Sequence, residues 1–290
     1  MKEVNILEAH SSYVLKLRFT GDSRTLISSG MDNLVKLWSV PDWGSSGSFS
    51  GHLNSVNSFD LSPDETLLAT GSSDQTVKLW AFPGGDLLHN LQDRKKVVSC
   101  VQISPDGKFV VSGSYGGRAA LWTTGGELVN SFQANPGNLT SALLSSDMKT
   151  IATAGLGDNI QIWEMPDWNN LATLAGHTTA VTVHRYIRNG AVLVSSGYEG
   201  GIKFWDTANW KLVKSLDPQL AGMRAVAFSA DEEILAVSGE SQVKLFDVID
   251  FSLLYTLPVT TRVINGIAFS PDGKWLALGA ADKKIRIWER

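Results

Sequence analysis

The chain has 290 residues, 43% of them hydrophobic and ten of them Trp, ample for a buried core. Its net charge of −4 and pI near 5.7 speak against nucleic acid or an anionic membrane as partner, since both require a basic face. The single Cys100 excludes an intrachain disulfide and suits a reducing, cytoplasmic compartment, and no apolar run reaches signal-peptide or membrane-span length.

In chain order, EVNIL (residues 3–7) reads as a lone strand without partners before it. A phrase then begins that returns along the whole sequence. SSGMDNLVKLW ends at Trp38, GSSDQTVKLW at Trp80, SGSYGGRAALW at Trp122 and TAGLGDNIQIW at Trp163. SSGYEGGIKFW ends at Trp205, VSGESQVKLF at Phe246 and LGAADKKIRIW at Trp288. The gaps are 42, 42, 41, 42, 41 and 42 residues. A fixed period in this range marks a repeat architecture and overrides a domain count drawn from length, so residues 1–290 are expected to form one domain.

Within the second repeat, SVNSFDL alternates as a strand and SPDE supplies turn chemistry, with Pro preset for the second position and Asp able to cap. TLLATGS, TVKLWAF and LLHNL follow as strands, separated by SDQT and PGGD turns. Four short antiparallel strands in each repeat form the pattern of a propeller blade. No stretch carries a 3.6-residue apolar period, so helices are expected to be nearly absent. The last repeat stops at IRIWER, after its third strand, while EVNIL lacks three partners. Together they make one blade. The expected fold is all-β, a single seven-bladed propeller closed by residues 1–8 pairing into the last blade.

These features resemble the WD40-repeat family over essentially the whole chain. The likeness rests on Gly51-His52, Gly176-His177, the variant Ala9-His10, and the aromatic residue closing each third strand. The Trp-Asp pair itself survives only as Trp205-Asp206. The SPDGK-type turns are similar to those of prokaryotic members. The resemblance implies a non-enzymatic interaction scaffold whose blades each hold a hydrogen-bonded His, hydroxyl, acid and Trp. Carried over by position, the sets are His10, Ser28, Asp32, Trp38; then His52, Thr70, Asp74, Trp80; then His177, Ser195, Glu199, Trp205. Repeats three and four keep Ser112 with Trp122 and Thr153 with Trp163 but have Gly116 and Gly157 at the acid position. Repeats six and seven have Ala236 and Leu278 where the hydroxyl belongs.

His, Ser and Asp in one unit invite a hydrolase reading, but a catalytic triad needs one exposed nucleophile and not a trio recurring in several blades. No short Cys/His spacing suits a metal, and no Gly-rich turn leads a strand into a helix as a phosphate loop must. No cofactor is expected. His184 falls at an otherwise apolar strand position and reads as a core histidine; Cys100 shares a small-residue slot with Ser58 and Ser141. Asp22, Asp64, Asp106, Asp147, Asp231 and Asp272 share one turn position, where capping is the plain reading.

Two surfaces remain as candidates for a protein or peptide partner. The first gathers Tyr13, Tyr115 and Tyr198 with Arg94, Lys95, Lys96, Arg118, Arg224 and Arg262, a set suited to an acidic or phosphorylated peptide. The alternative is a structural subunit packed into a larger assembly through Trp43, Trp168, Trp210 and Phe251, each five residues past an anchor aromatic. The plain reading of those four rings is cover for their own blades.

Overall fold

Runs of β-branched and aromatic residues, cut by Ser-Pro-Asp and Gly-containing turns, leave the chain little choice but short antiparallel strands. A computed structural model describes residues 1–220, 223–261 and 263–290, with all of their side chains except those of Val183 and His184. Twenty-eight strands pair into seven four-stranded sheets, with no helix among the described residues. The fold is a seven-bladed β-propeller. The chain divides into two compact units, Met1–Val56 with Pro218–Arg290, and Asn57–Asp217.

The first of these units holds three blades. The first blade is Val14–Phe19, Thr25–Gly30, Val35–Ser39 and Ser45–Phe49. The sixth is Val226–Phe228, Ile234–Ser238, Gln242–Asp247 and Leu253–Pro258, its opening strand cut to three residues. The seventh is assembled from both ends of the sequence: Ile264–Phe269, Trp275–Ala280 and Lys284–Glu289, then Lys2–Glu8 as fourth strand. That last pairing runs antiparallel from Lys2 opposite Glu289 to Glu8 opposite Lys284, as the fragments EVNIL and IRIWER implied.

The second unit, Val56 aside, holds the other four. The second blade is Val56–Leu61, Leu67–Ser72, Val77–Ala81 and Leu87–Leu91. The third is Val98–Ile103, Phe109–Ser114, Arg118–Thr123 and Leu128–Gln133. The fourth is Leu139–Leu144, Thr150–Gly155, Asn159–Glu164 and Asn170–Ala175. The fifth is Val181–Ile187, Val192–Gly197, Ile202–Asp206 and Lys211–Leu216.

Burial explains the composition of each strand. Leu67–Ser72 and Thr150–Gly155 are buried at every position, so they consist of aliphatic residues interleaved with Ala, Gly, Ser and Thr, which pack on both sides. Neighbouring blades share cores: Leu67, Leu79 and Val101 lie in one cluster with Trp122, and Leu17, Leu26 and Ile287 in another with Trp275. The recurrent second-strand Gly follows from this packing. A Cβ on Gly71 would meet Val98 Cγ1 at 2.7 Å, and one on Gly279 would meet Val14 Cγ1 at 2.6 Å.

Candidate functional site

The first blade contains its full predicted set. Trp38 Nε1 donates to Ser28 Oγ at 2.9 Å, Ser28 Oγ meets His10 Nε2 at 2.8 Å, and His10 Nδ1 meets Asp32 Oδ1 at 2.8 Å. The Ser11 N–H adds a bond to Asp32 Oδ2 at 2.9 Å. Neutral His10 protonated on Nδ1 satisfies every link: indole to hydroxyl, hydroxyl to Nε2, Nδ1 to carboxylate. Burial holds the His10 pKa below the usual imidazole range despite the pull of Asp32. Burial opposes the charge of Asp32 as well, but donation from Ser11 and His10 keeps its pKa low.

The fifth blade repeats the chain with Glu for Asp. Trp205 Nε1 donates to Ser195 Oγ at 2.8 Å, Ser195 Oγ meets His177 Nε2 at 2.8 Å, and His177 Nδ1 meets Glu199 Oε1, which also bonds Thr179 through Oε2. In the second blade Trp80 Nε1 donates to Thr70 Oγ1 at 2.9 Å, Asp74 Oδ1 accepts from Thr76, and His52 is buried. Trp122 donates to Ser112 at 3.0 Å in the third. Ser28 and Ser195 are fully buried, so neither can meet a substrate.

Two stand-ins escaped the sequence reading. In the fourth blade Asn135 occupies the His position: Trp163 Nε1 donates to Thr153 Oγ1 at 3.0 Å, which donates to Asn135 Oδ1 at 2.8 Å. In the seventh, Asp282 keeps the acid position and Arg286, buried, bridges it at 2.5 Å to Thr260 at 3.2 Å. Ala134-Asn135 and Ala9-His10 stand equally far before their anchor Trp residues, which was the available signal.

The repeated aspartates cap their turns. Each Oδ1 accepts from a Ser or Thr hydroxyl two residues earlier, as in Thr20 to Asp22, Ser62 to Asp64, Ser104 to Asp106 and Ser145 to Asp147. Ser229 to Asp231 and Ser270 to Asp272 complete the set. Among the described residues no group of three His, Cys, Asp or Glu is placed to hold a metal ion.

Trp43, Trp168, Trp210 and Phe251 all adopt left-handed backbone, with φ of 58°, 61°, 57° and 63°. Each N–H closes the turn on the carbonyl four residues back, as in Trp43 to Ser39 at 2.7 Å and Trp168 to Glu164 at 2.8 Å. The rings turn inward. Trp43 is 9% exposed and meets Trp275 edge-on at 5.3 Å; Trp168 lies half-buried, 5.2 Å from Phe132; Trp210 and Phe251 are half-buried.

The tyrosines point outward instead. Tyr115 and Tyr198 are 46% and 56% exposed at the same turn position, and Leu156, at that position in the blade between them, is 58% exposed. In the other unit Tyr13 is 46% exposed, its carbonyl bonded to the N–H of exposed Met31 at 2.9 Å. Tyr115 N–H bonds Val97 O at 2.9 Å, which ties its turn to the chain just after the exposed Arg94, Lys95 and Lys96. Arg224 is exposed; Arg262 lies outside the described residues, as does the side chain of His184. Arg118 departs from its expected place. Its guanidinium turns inward to Ser131 O at 2.7 Å and lies 3.6 Å from Asp93, because the facing strand offers acceptors that solvent would otherwise supply.

Seven sheets built on one register and one buried network point to a single repeat family. The WD40 profile, described as WD domain, G-beta repeat, matches residues 1–39, 43–81, 85–123, 168–206 and 251–289, more than half of the chain. The chain belongs to the WD40 repeat family. This WD40 chain is 31% identical over 104 residues to the target of rapamycin complex subunit wat1 of Schizosaccharomyces pombe, a match covering 35% of the chain and 33% of that protein. It is 27% identical over 157 residues to pre-mRNA-processing factor 19 of Oryza sativa subsp. japonica, covering 51% and 29%. An uncharacterized WD repeat-containing protein of Synechocystis is 31% identical over 118 residues, covering 40% and 34%. The matches thus span about a third of each relative's length. No helix among the described residues of the WD40 chain is long and apolar enough to cross a membrane.

Proposed function

We propose that the chain is a non-catalytic interaction scaffold of the cytoplasm, binding a protein or acidic peptide through its exposed tyrosine turns. The observation that carries this reading is the run of Tyr115, Leu156 and Tyr198, three apolar or aromatic side chains held outward at one turn position of three successive blades. Tyrosine at a rigid turn gives large contact area at low entropic cost and is enriched in binding hot spots. Beside Tyr115, Arg94 is 68% exposed and Lys95 and Lys96 are exposed, while Arg118 pairs with Asp93 and so leaves the loop's outer charge positive. A name such as "complex subunit" among the relatives agrees with a scaffold role.

The reading is tested by quantitative pull-down with the intact chain, a Tyr115→Ala/Tyr198→Ala variant and Trp168→Ala. Loss of the captured partner with the tyrosine pair, retention with Trp168→Ala and weakening by salt are expected. The opposite pattern, with Trp168→Ala abolishing capture and the tyrosine variant binding normally, favours an assembly subunit packed through the aromatic turns.

A further inference from the structure

Within the Asn57–Asp217 unit, a cavity of about 540 Å³ opens between the first turns of the fourth and fifth blades. It lies where the repeat breaks. The fifth blade lacks the Ser-x-Asp turn; Ile187 pairs directly with Val192 across a tight Arg188–Ala191 turn. Thr207 fixes that turn by donating from Oγ1 to Gly190 O at 2.8 Å and from its N–H to Ala191 O at 3.0 Å. Gly190, at φ +91°, approaches so closely that a Cβ would collide with Ser146 Oγ.

The cavity wall combines Met165, Leu171, Tyr186 and Trp210 with two carboxylates, Asp147 and Glu164. The Tyr186 hydroxyl is shielded from solvent and, although Thr150 lies beside it, makes no well-formed hydrogen bond among the described residues, an uncommon state for a buried polar atom. Asp147 Oδ1 is occupied by Ser145 and the Lys149 N–H, at 2.7 Å and 3.1 Å, but among the described residues its Oδ2 accepts nothing, and neither does the Glu164 carboxylate. Lys149 lines the cavity too, and its charge acts on Asp147 without a contact ion pair among the described residues.

We propose that this cleft binds an arginine side chain of a partner polypeptide. Three separated acceptors, Asp147 Oδ2, Glu164 and Tyr186 Oη, suit a guanidinium with its five donors in a planar fork, and Trp210 offers a face for that plane. Lysine, a point charge, satisfies fewer of them. An acidic ligand meets two carboxylates, and an apolar one leaves the tyrosine hydroxyl unmet. The volume exceeds one side chain and accommodates its flanking residues.

The test is an NMR titration of the full chain, following indole N–H signals, with the blocked tripeptides acetyl-Gly-Arg-Gly-amide, acetyl-Gly-citrulline-Gly-amide and acetyl-Gly-Leu-Gly-amide. The arginine peptide should shift the Trp210 signal saturably, and citrulline, isosteric but uncharged, should bind about tenfold more weakly. Asp147→Asn should weaken arginine binding about fivefold while keeping the Oδ1 turn bonds. Tyr186→Phe should weaken it about threefold and change the melting midpoint little, since the hydroxyl makes no well-formed internal hydrogen bond. The Tyr115→Ala/Tyr198→Ala variant should bind the arginine peptide normally, which separates this site from the proposed tyrosine surface. Equal binding of citrulline, preference for leucine, or no saturable shift of Trp210 would overturn the assignment.

Discussion

Trp288 stands to Leu278 as Trp38 stands to Ser28, ten residues on, but its buried indole N–H finds no acceptor among the described residues. The seventh blade carries a leucine in the hydroxyl slot and leaves the donor unmet. Replacing Trp38 by Phe removes a made hydrogen bond and strands the Ser28 hydroxyl network; replacing Trp288 by Phe removes only an unsatisfied donor. Both lose similar ring volume. Trp38→Phe should therefore cost about 1–3 kcal/mol more than Trp288→Phe in urea denaturation. Equal losses would show that the bond to Ser28 contributes nothing.

The His10 and His177 networks set an acid limit. Burial lowers the pKa of His10 and His177, so the unfolded chain takes up protons first as pH falls. Their contribution is whole above the ordinary imidazole value of about 6.5 and declines below it. Asp32 and Glu199 are also lowered and add a second loss once pH drops beneath the ordinary carboxylate range. Melting midpoints should fall between pH 7.5 and 5.5. A His10→Asn/His177→Asn variant, following the Asn135 solution of the fourth blade, should show a flatter profile over that interval.

Removing residues 1–8 strips the fourth strand from the seventh blade and bares the Lys284–Glu289 edge. Exposed edges recruit other chains. The truncated protein should elute as aggregate or melt well below the full chain; a monomer with unchanged melting would mean that this pairing is dispensable.

Trp43 accepts a left-handed backbone, costly for a bulky residue, in return for ring burial against Trp275. The second blade makes the same turn with Gly85 at φ 88°, its N–H bonded to Ala81 O at 2.9 Å. Trp43→Ala should cost about 3–5 kcal/mol, the range for a buried aromatic. A loss under about 1 kcal/mol would show the ring to be surface cover without packing value.

The period, the strand order, the joining of the two chain ends and the His10 network were all legible in the sequence. The His10 network was legible through the family resemblance, and it carries over by position because Ser28 and Trp38, diagonal neighbours on one face of a hairpin, keep a fixed sequence offset. The six turn aspartates were legible for the same reason, since each bonds residues two positions away. What lay beyond the sequence depended on which groups face each other from separate strands and blades. Arg118 was expected outward, but Ser131 and Asp93 draw its guanidinium in. The sequence also left open whether Trp43 and Trp168 anchor a partner; cores supplied by Trp275 and Phe132 turn both rings inward. Asn135 stands at a histidine position that its repeat offset marks, whereas Arg286 joins Asp282 to Thr260 through contacts that no repeat pattern encodes. The cleft beside Tyr186 arises where two turns of unlike length meet, and only packing between blades decides that.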